Sequence, residues 1–291
     1  MAQPWAESDR QMTGTPLNIR KVAGSLGAEV GGIDLGQPLD SDTKQAVHDA
    51  LMNHQVLFFR DQDITPEQHV AFGESFGTLQ VHPMLPRLDE QPEVLILESF
   101  EGRRSAANLW HSDVTFDEEP PLGSVLLARK VPEFGGDTMW ANMYEAYEAL
   151  TPAMKRYLDG MTALHSAGKA KFEEIDAHDT LDHDGIKKKR ASMAPVEHPV
   201  VRTHPVTGRK ALFVNSVFTL RLRGVPRKES EAILNYLYDH INTPEFSCRF
   251  DWQPNSIAFW DNRCTQHYAV ADYGGAHRLM HRVTINGDRP V

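Results

Sequence analysis

Two side chains in the stretch NLWHSDVTF (residues 108–116), His111 and Asp113, have types and spacing that could hold a metal ion. Leu109, Val114 and Phe116 give the stretch the look of a strand. In a strand, side chains alternate between faces, which puts His111, Asp113 and Thr115 on one side and Ser112, Val114 and Phe116 on the other. A histidine and a carboxylate at i and i+2 can bind one cation together, but a working site needs a third ligand. His54, His69, His165, His198 and His204 sit in helix or loop contexts and read as surface or satisfied core imidazoles. His267 differs, because it follows SIAFWDNRCTQ, a buried strand that ends at Asp261 and Asn262 and breaks into a loop. Its ring can hang over the mouth of a barrel. Two histidines and one carboxylate with open positions form the facial arrangement of non-haem Fe(II) oxygenases. The same donors also make a catalytic zinc site that would hydrolyse through metal-bound hydroxide. A His-x-Asp pair alone is more often incidental than metallic.

The last strand adds a second constraint. In HRLMHRVTI, period-two alternation sets Arg278, Met280 and Arg282 on one face and Leu279, His281 and Val283 on the other. Two guanidinium groups then point inward, and a buried charge must be paired. Four residues along a strand span about 13 Å, too far for one small carboxylate to engage both end-on. The barrel therefore holds two separate anionic ligands, or the arginines pair with acidic side chains of neighbouring strands.

The elements that must position these groups follow from the pattern. IRKVAGSLGAEVGGIDL reads as two short strands around glycine turns. Ser41 or Asp42 can cap the helix TKQAVHDALMNH, and QVLFFR is a compact buried strand. TPEQHVAFGESFG opens with a capping box, Thr65 at N-cap, Pro66 at N1 and Gln68 at N3, and ends at Gly77. Strands follow at 93–97, 108–116, 123–131, 210–215, 256–262 and 278–285. Two capped helices interrupt them, TPAMKRYLDG and VPRKESEAILNYLYDHIN. The charged segment from Lys171 to Ala194 reads as a mobile excursion. The fold class is mostly β with flanking helices around a double-stranded β-helix, or jelly-roll, core. Residues 1–14 form a flexible N-terminus, and 15–291 form one domain with a lid-like insert near 166–194.

With 40 acidic against 30 basic residues the net charge is -10, and apart from KKKR at 187–190 no basic stripe suggests nucleic acid. Partners are expected to be small molecules. Cys248 and Cys264 have neither CxxC spacing nor the density of a disulfide scaffold, which predicts a cytoplasmic protein. MAQPWAESDRQMTG lacks an apolar h-region and no run approaches the roughly 18 apolar residues of a membrane span, so a soluble protein is expected.

Beyond these readings, the chain resembles the taurine dioxygenase (TauD/TfdA-like) family of Fe(II)- and 2-oxoglutarate-dependent dioxygenases. The likeness rests on GAEVGGIDLGQPL, HQVLFFRDQDITPEQ, WHSDVTF, GGDTMW, HPVVRTHPVTGRKALFVN and WDNRCTQHYAVADY with HRLMHR after it, in that order, from about Ile19 to Pro290. It implies Fe(II) on His111, Asp113 and His267, and the distal carboxylate of 2-oxoglutarate on Thr138 and Arg278. With O2, oxidative decarboxylation to succinate and carbon dioxide would drive hydroxylation of a substrate C–H. By the same resemblance Arg282 and His82 grip an anionic head, usually a sulfonate, while Asn108, Val114, Phe116 and Phe218 line the substrate pocket. A homo-oligomer, dimer or tetramer, is also implied. Ideal alternation turns Val114 and Phe116 away from the ligands, so a bend after Asp113 is required.

The sequence departs from the taurine enzyme where polar contacts to taurine would lie. Leu85 stands in place of a tyrosine, and Ala107 in place of an asparagine, with Asn108 one position away. Lys171 and Phe172 stand where an aromatic contact would be sought. The favoured substrate is a small organic anion oxidised beside its heteroatom, taurine or a related alkylsulfonate first, with an alkyl sulfate ester or a phenoxyalkanoate as alternatives. A zinc-dependent hydrolase and an anion-binding module with a decayed metal site are the readings from other classes.

Overall fold

The computed structural model describes residues 17–82, 85–101, 107–167 and 193–291, together with residues 185 and 188. The N-terminus 1–14 and most of the 166–194 insert, Lys171 and Phe172 included, lie outside the described residues.

Fifteen strands occur among the described residues: β1 Asn18–Lys21, β2 Ala28–Gly31, β3 Val56–Phe59, β4 Val94–Ser99, β5 Gly123–Lys130, β6 Thr138–Asn142, β7 Thr162–His165, β8 Val196–Pro199, β9 Val201–Thr203, β10 Lys210–Leu212, β11 Thr219–Leu222, β12 Ser247–Phe250, β13 Ile257–Asp261, β14 Thr265–Ala269 and β15 Arg278–Ile285. The helices are α1 Ser41–His54, α2 Pro66–Glu74, α3 Met143–Glu148, α4 Pro152–Leu158 and α5 Arg227–Ile241. Seven strands form one sheet in the order β1-β2-β3-β13-β5-β15-β4, in which only β2 and β3 run parallel. A second sheet, β12-β6-β14, supplies the facing wall. This is the jelly-roll core, mostly β with flanking helices.

Side-chain parity sorts the large sheet into two layers. Leu57 and Phe59 of β3, Val125 and Leu127 of β5, and Ile257 and Phe259 of β13 pack under α1 and α2. Their neighbours Val56, Phe58, Leu126, Ala128, Ala258 and Trp260 face the other way, onto Trp140 of β6 and Cys248 and Phe250 of β12. Both faces are buried, which is why VLFF and IAFWD read as continuous apolar runs rather than alternating ones. Register carries the inner row on to the arginines: Phe58 pairs with Ala258, Ala258 with Leu126, and Leu126 with Arg282. Arg278, Met280 and Arg282 are all buried, as the alternation predicts.

Three local expectations need correction. Asp40, not Ser41 or Asp42, caps α1, accepting the Thr43 N–H at 2.7 Å, because the carboxylate must stand just outside the first turn to reach that donor. α2 has the expected Thr65 capping box but ends at Glu74. The strand expected over 210–215 stops at Leu212, and Asn215 turns the chain by accepting the N–H groups of Val217 and Phe218. Among the described residues no helix is long and apolar enough to cross a membrane.

His69 fastens α2 to the sheet, its Nε2 donating to the Val125 carbonyl at 3.0 Å. Burial pushes this imidazole down to about 3, so it folds in neutral. Its contribution is then fully present above the ordinary pKa near 6.5 and is lost as pH falls, since only the unfolded chain takes up the proton. Between pH 7.5 and pH 5 this amounts to about 2 kcal/mol. Urea unfolding at the two pH values should show His69→Gln, whose amide can make the same bond, losing less stability on acidification than the wild type. An equal loss would remove His69 from the account.

Candidate active site

The segment entering the site meets β14 through a two-bond bridge. The His111 N–H donates to the His267 carbonyl at 3.1 Å, and the His267 N–H returns to the His111 carbonyl at 2.8 Å. Directly opposed residues in an antiparallel pair project on the same side. The bridge alone therefore brings the two imidazoles together, with ring centroids 4.2 Å apart. The Asp113 carboxylate lies 3.8 Å from His111 Nε2 and 3.9 Å from His267 Nε2, and the three donors lie within 4.8 Å of one another. His111 Nδ1 donates to the Leu109 carbonyl at 2.7 Å, which leaves the Nε2 lone pair for an ion.

The charge states suit a cation. Burial pushes His111 down and His267 down to about 3, so both rings are neutral at pH 7. Burial would raise Asp113, but the Arg282 guanidinium and the two imidazoles outweigh it and hold the carboxyl at about 2. Three ligands free of protons are what metal binding requires.

The stretch 108–116 is not a strand beyond the bridge at His111. It turns over residues 113–116, and Val114 takes φ 53, in the left-handed region that a branched side chain rarely enters. This is the bend that alternation demanded. Val114 and Phe116 join Phe218 and Ala167 in one apolar cluster, with Phe116 and Phe218 rings 5.1 Å apart and Phe218 6.3 Å from the His111 ring. An apolar wall thus adjoins the His111 ring.

The two arginines have different surroundings. Arg282 Nη1 donates to both carboxylate oxygens of Asp113, at 3.0 and 3.2 Å, while its buried Nε has no partner. One of the two arginines therefore does pair with an acidic side chain, and that side chain is itself a candidate ligand. Arg278 makes one hydrogen bond, from Nε to the Gly136 carbonyl at 3.2 Å, and has no carboxylate within ion-pair distance among the described residues. Burial pushes its pKa down, with Tyr273 and Asp137 opposing. A buried guanidinium so lightly partnered fits a bound carboxylate. Thr138, two residues beyond Gly136, accepts the Trp252 indole N–H at 3.0 Å and keeps its own hydroxyl proton to donate. His82 is buried, and its Nδ1 accepts the Leu85 N–H at 3.1 Å, making Nε2 the donor of the neutral ring.

Asn108 is not brought to this group. It lines a separate cleft of about 320 Å³ with Leu109, Trp110, Ser216, Tyr238 and Tyr268. A second cluster with ligating side chains, His204, Asp261 and Cys264, is fully committed. Asp261 Oδ1 accepts from Arg263 N and Nε, and Oδ2 from Arg263 Nη2 and His204 Nε2. His204 is thus a satisfied core imidazole.

With this geometry in hand, similarity to known proteins is decisive. The model of the family described as "Taurine catabolism dioxygenase TauD, TfdA family" matches residues 18–284. The chain belongs to the TauD/TfdA family. Among proteins similar to this TauD/TfdA member, the alkylsulfatase of Acinetobacter baylyi is 40% identical over 278 residues, 94% of this chain and 86% of that protein. The alpha-ketoglutarate-dependent sulfate ester dioxygenase of Pseudomonas putida is 36% identical, over 94% of this chain and 91% of that protein. A crystal structure of a taurine dioxygenase from Burkholderia xenovorans superposes with a TM-score of 0.80 at 35% identity, covering 94% of this chain and 92% of that one. The chain is accordingly an Fe(II)- and 2-oxoglutarate-dependent dioxygenase that uses O2. The zinc-hydrolase alternative, which the donor set left open, falls away.

Replacing Asp113 by Ala should strand the Arg282 charge in a buried site, a loss of about 3 kcal/mol. His111→Ala removes only a neutral ring. Urea unfolding of metal-free protein should rank Asp113→Ala clearly below His111→Ala, and Asp113→Ala with Arg282→Leu should recover most of the difference. Equal stability of the two single variants would show that Asp113 does not hold Arg282.

Proposed function

We propose that this dioxygenase oxidises an alkyl sulfate ester of medium chain length at the carbon bonded to the ester oxygen. His111, Asp113 and His267 hold the Fe(II), and Arg278 with Thr138 holds the distal carboxylate of 2-oxoglutarate. Arg282 and His82 take the sulfate head, and Val114, Phe116 and Phe218 cover the alkyl chain. The bound iron, 2-oxoglutarate and O2 supply the oxidative decarboxylation that drives C–H hydroxylation. Hydroxylation beside the ester oxygen gives a hemiacetal-like product that expels sulfate and leaves an aldehyde.

The observation that carries this reading is the apolar cluster of Val114, Phe116, Phe218 and Ala167 reaching the His111 ring beside a buried guanidinium. This apolar wall matches an anion with a hydrocarbon tail better than it matches a zwitterion. Leu85 and Ala107 stand where the taurine enzyme has polar side chains, and an unmet buried polar group on taurine costs about 1–3 kcal/mol. The names of the two relatives, an alkylsulfatase and a sulfate ester dioxygenase, support the same head group. An alkylsulfonate, oxidised beside sulfur with release of sulfite, is the second reading, favoured by the same pairing of a histidine donor with a guanidinium. A cytoplasmic setting is supported by two buried, free thiols.

Hexyl and decyl sulfate, hexanesulfonate, taurine and phenoxyacetate should be compared for succinate formation coupled to product release. The sulfate esters are expected to exceed taurine in kcat/KM by roughly five- to a hundred-fold, the ratio equivalent to 1–3 kcal/mol. Taurine in the lead would contradict the tail argument, and turnover of carboxylates alone would contradict the sulfur-oxyanion head. Arg278→Ala is expected to raise chiefly the KM for 2-oxoglutarate, and Arg282→Ala chiefly that for the sulfate ester. A shift of the same constant by both would overturn the division of roles.

A further inference from the structure

Asp113 lies beyond the backbone bridge at His111, so no strand partners its peptide groups. A side chain does. The Asp113 N–H donates to Asn262 Oδ1 at 2.7 Å, and Asn262 Nδ2 donates to the Asp113 carbonyl at 3.1 Å and to the Pro121 carbonyl at 3.2 Å. A primary amide offers one acceptor and two donors, and here all three are used. Asn262 is 1% exposed, so these bonds are made away from water.

The residue immediately after Asp113 is the strained one. A branched side chain at φ 53 persists only where the surroundings over-determine it. The amide supplies that determination from a rigid base. Asp261, next to Asn262, is locked by Arg263 and His204, the Thr265 hydroxyl donates to the Asp261 carbonyl at 2.7 Å, and the Ser112 hydroxyl donates to the Thr265 carbonyl at 2.7 Å. The same turn, residues 261–265, leads directly into β14 and His267.

We propose that Asn262 is a positioning residue for the metal centre: its carboxamide bridges the N–H and the carbonyl of Asp113, one in each flanking peptide group, and holds the turn that aims the carboxylate at His111 and His267. The inference rests on Asp113 being a metal ligand. Without the clamp, Val114 relaxes toward negative φ and carries the carboxylate away from the two imidazoles. Partners that orient a metal ligand are commonly worth ten- to a hundred-fold in metal affinity.

Mn(II) binding to the full-length protein, followed by electron paramagnetic resonance, tests this without turnover. Asn262→Ala is expected to weaken Mn(II) binding at least tenfold. Phe72→Leu, a core variant on the buried face of α2, should lower the melting temperature and leave Mn(II) affinity unchanged, which separates positioning from general loss of stability. Adding Val114→Gly to Asn262→Ala should restore at least threefold of the affinity, because glycine accepts positive φ without strain. Should Asn262→Ala fail to fold, Asn262→Ser, which cannot span both peptide groups, carries the same expectation. A folded Asn262 variant binding Mn(II) within twofold of wild type would overturn the clamp. Asp113→Ala is run beside it: unchanged Mn(II) affinity in that variant would overturn the ligand assignment itself.

Discussion

Charge buried in the barrel is the constraint on which the rest of this structure depends. β15 carries two arginines into a layer otherwise built from Phe58, Leu126, Ala128, Ala258 and Met280. An unpaired guanidinium in such a layer is costly, and each arginine meets the problem differently. Arg282 leans on Asp113, the carboxylate that also completes the donor set. Arg278 has a backbone carbonyl and, among the described residues, no acidic partner, which suits the proposed role of receiving an anion from solution. In the proposed assignment, cofactor and substrate, both anionic, each meet one of these guanidinium groups.

Positional accuracy comes from backbone rather than from side-chain packing alone. The His111–His267 bridge sets two of the candidate ligands by register, the turn bonded to Asn262 carries the third, and the β13–β14 connection supplies both Asn262 and His267. Rigid presentation of this kind suits a site that must keep positions open, because the ion contributes less to holding the fold than it does in a closed structural site. The price is one β-branched residue in a left-handed conformation, placed directly against the ligand whose direction it determines.

Much of this was legible in the sequence because it is periodic or chemically unusual. Arg278, Met280 and Arg282 alternate onto one face, and the Thr65 capping box announces α2; both follow from local rules that tertiary context does not override here. The triad was legible only through residue type, since His111 and His267 are far apart in sequence and meet through one bridge. What could not be read was non-local or non-ideal. Strand alternation alone puts Val114 and Phe116 on the wrong side, because it has no means of anticipating a left-handed valine directly after Asp113. The resemblance implies Asn108 in the substrate pocket, yet the irregular segment before the bridge sets it in a separate cleft with Leu109, Trp110 and Tyr268. Asn262 was visible only as the end of a buried strand, since a bond to Asp113 across 149 positions leaves no local signal.

The central claim is that two buried guanidinium groups divide two anions between them around one three-residue metal site. A crystal grown with Mn(II) and N-oxalylglycine, an unreactive isostere of 2-oxoglutarate, tests it most directly through Mn anomalous scattering and the density of the analogue. The account predicts a single strong anomalous peak bounded by His111, Asp113 and His267, with the distal carboxylate of the analogue on Arg278 and Thr138 and the region of Arg282 left for substrate. Manganese at His204 and Asp261, or the distal carboxylate seated on Arg282, would contradict it.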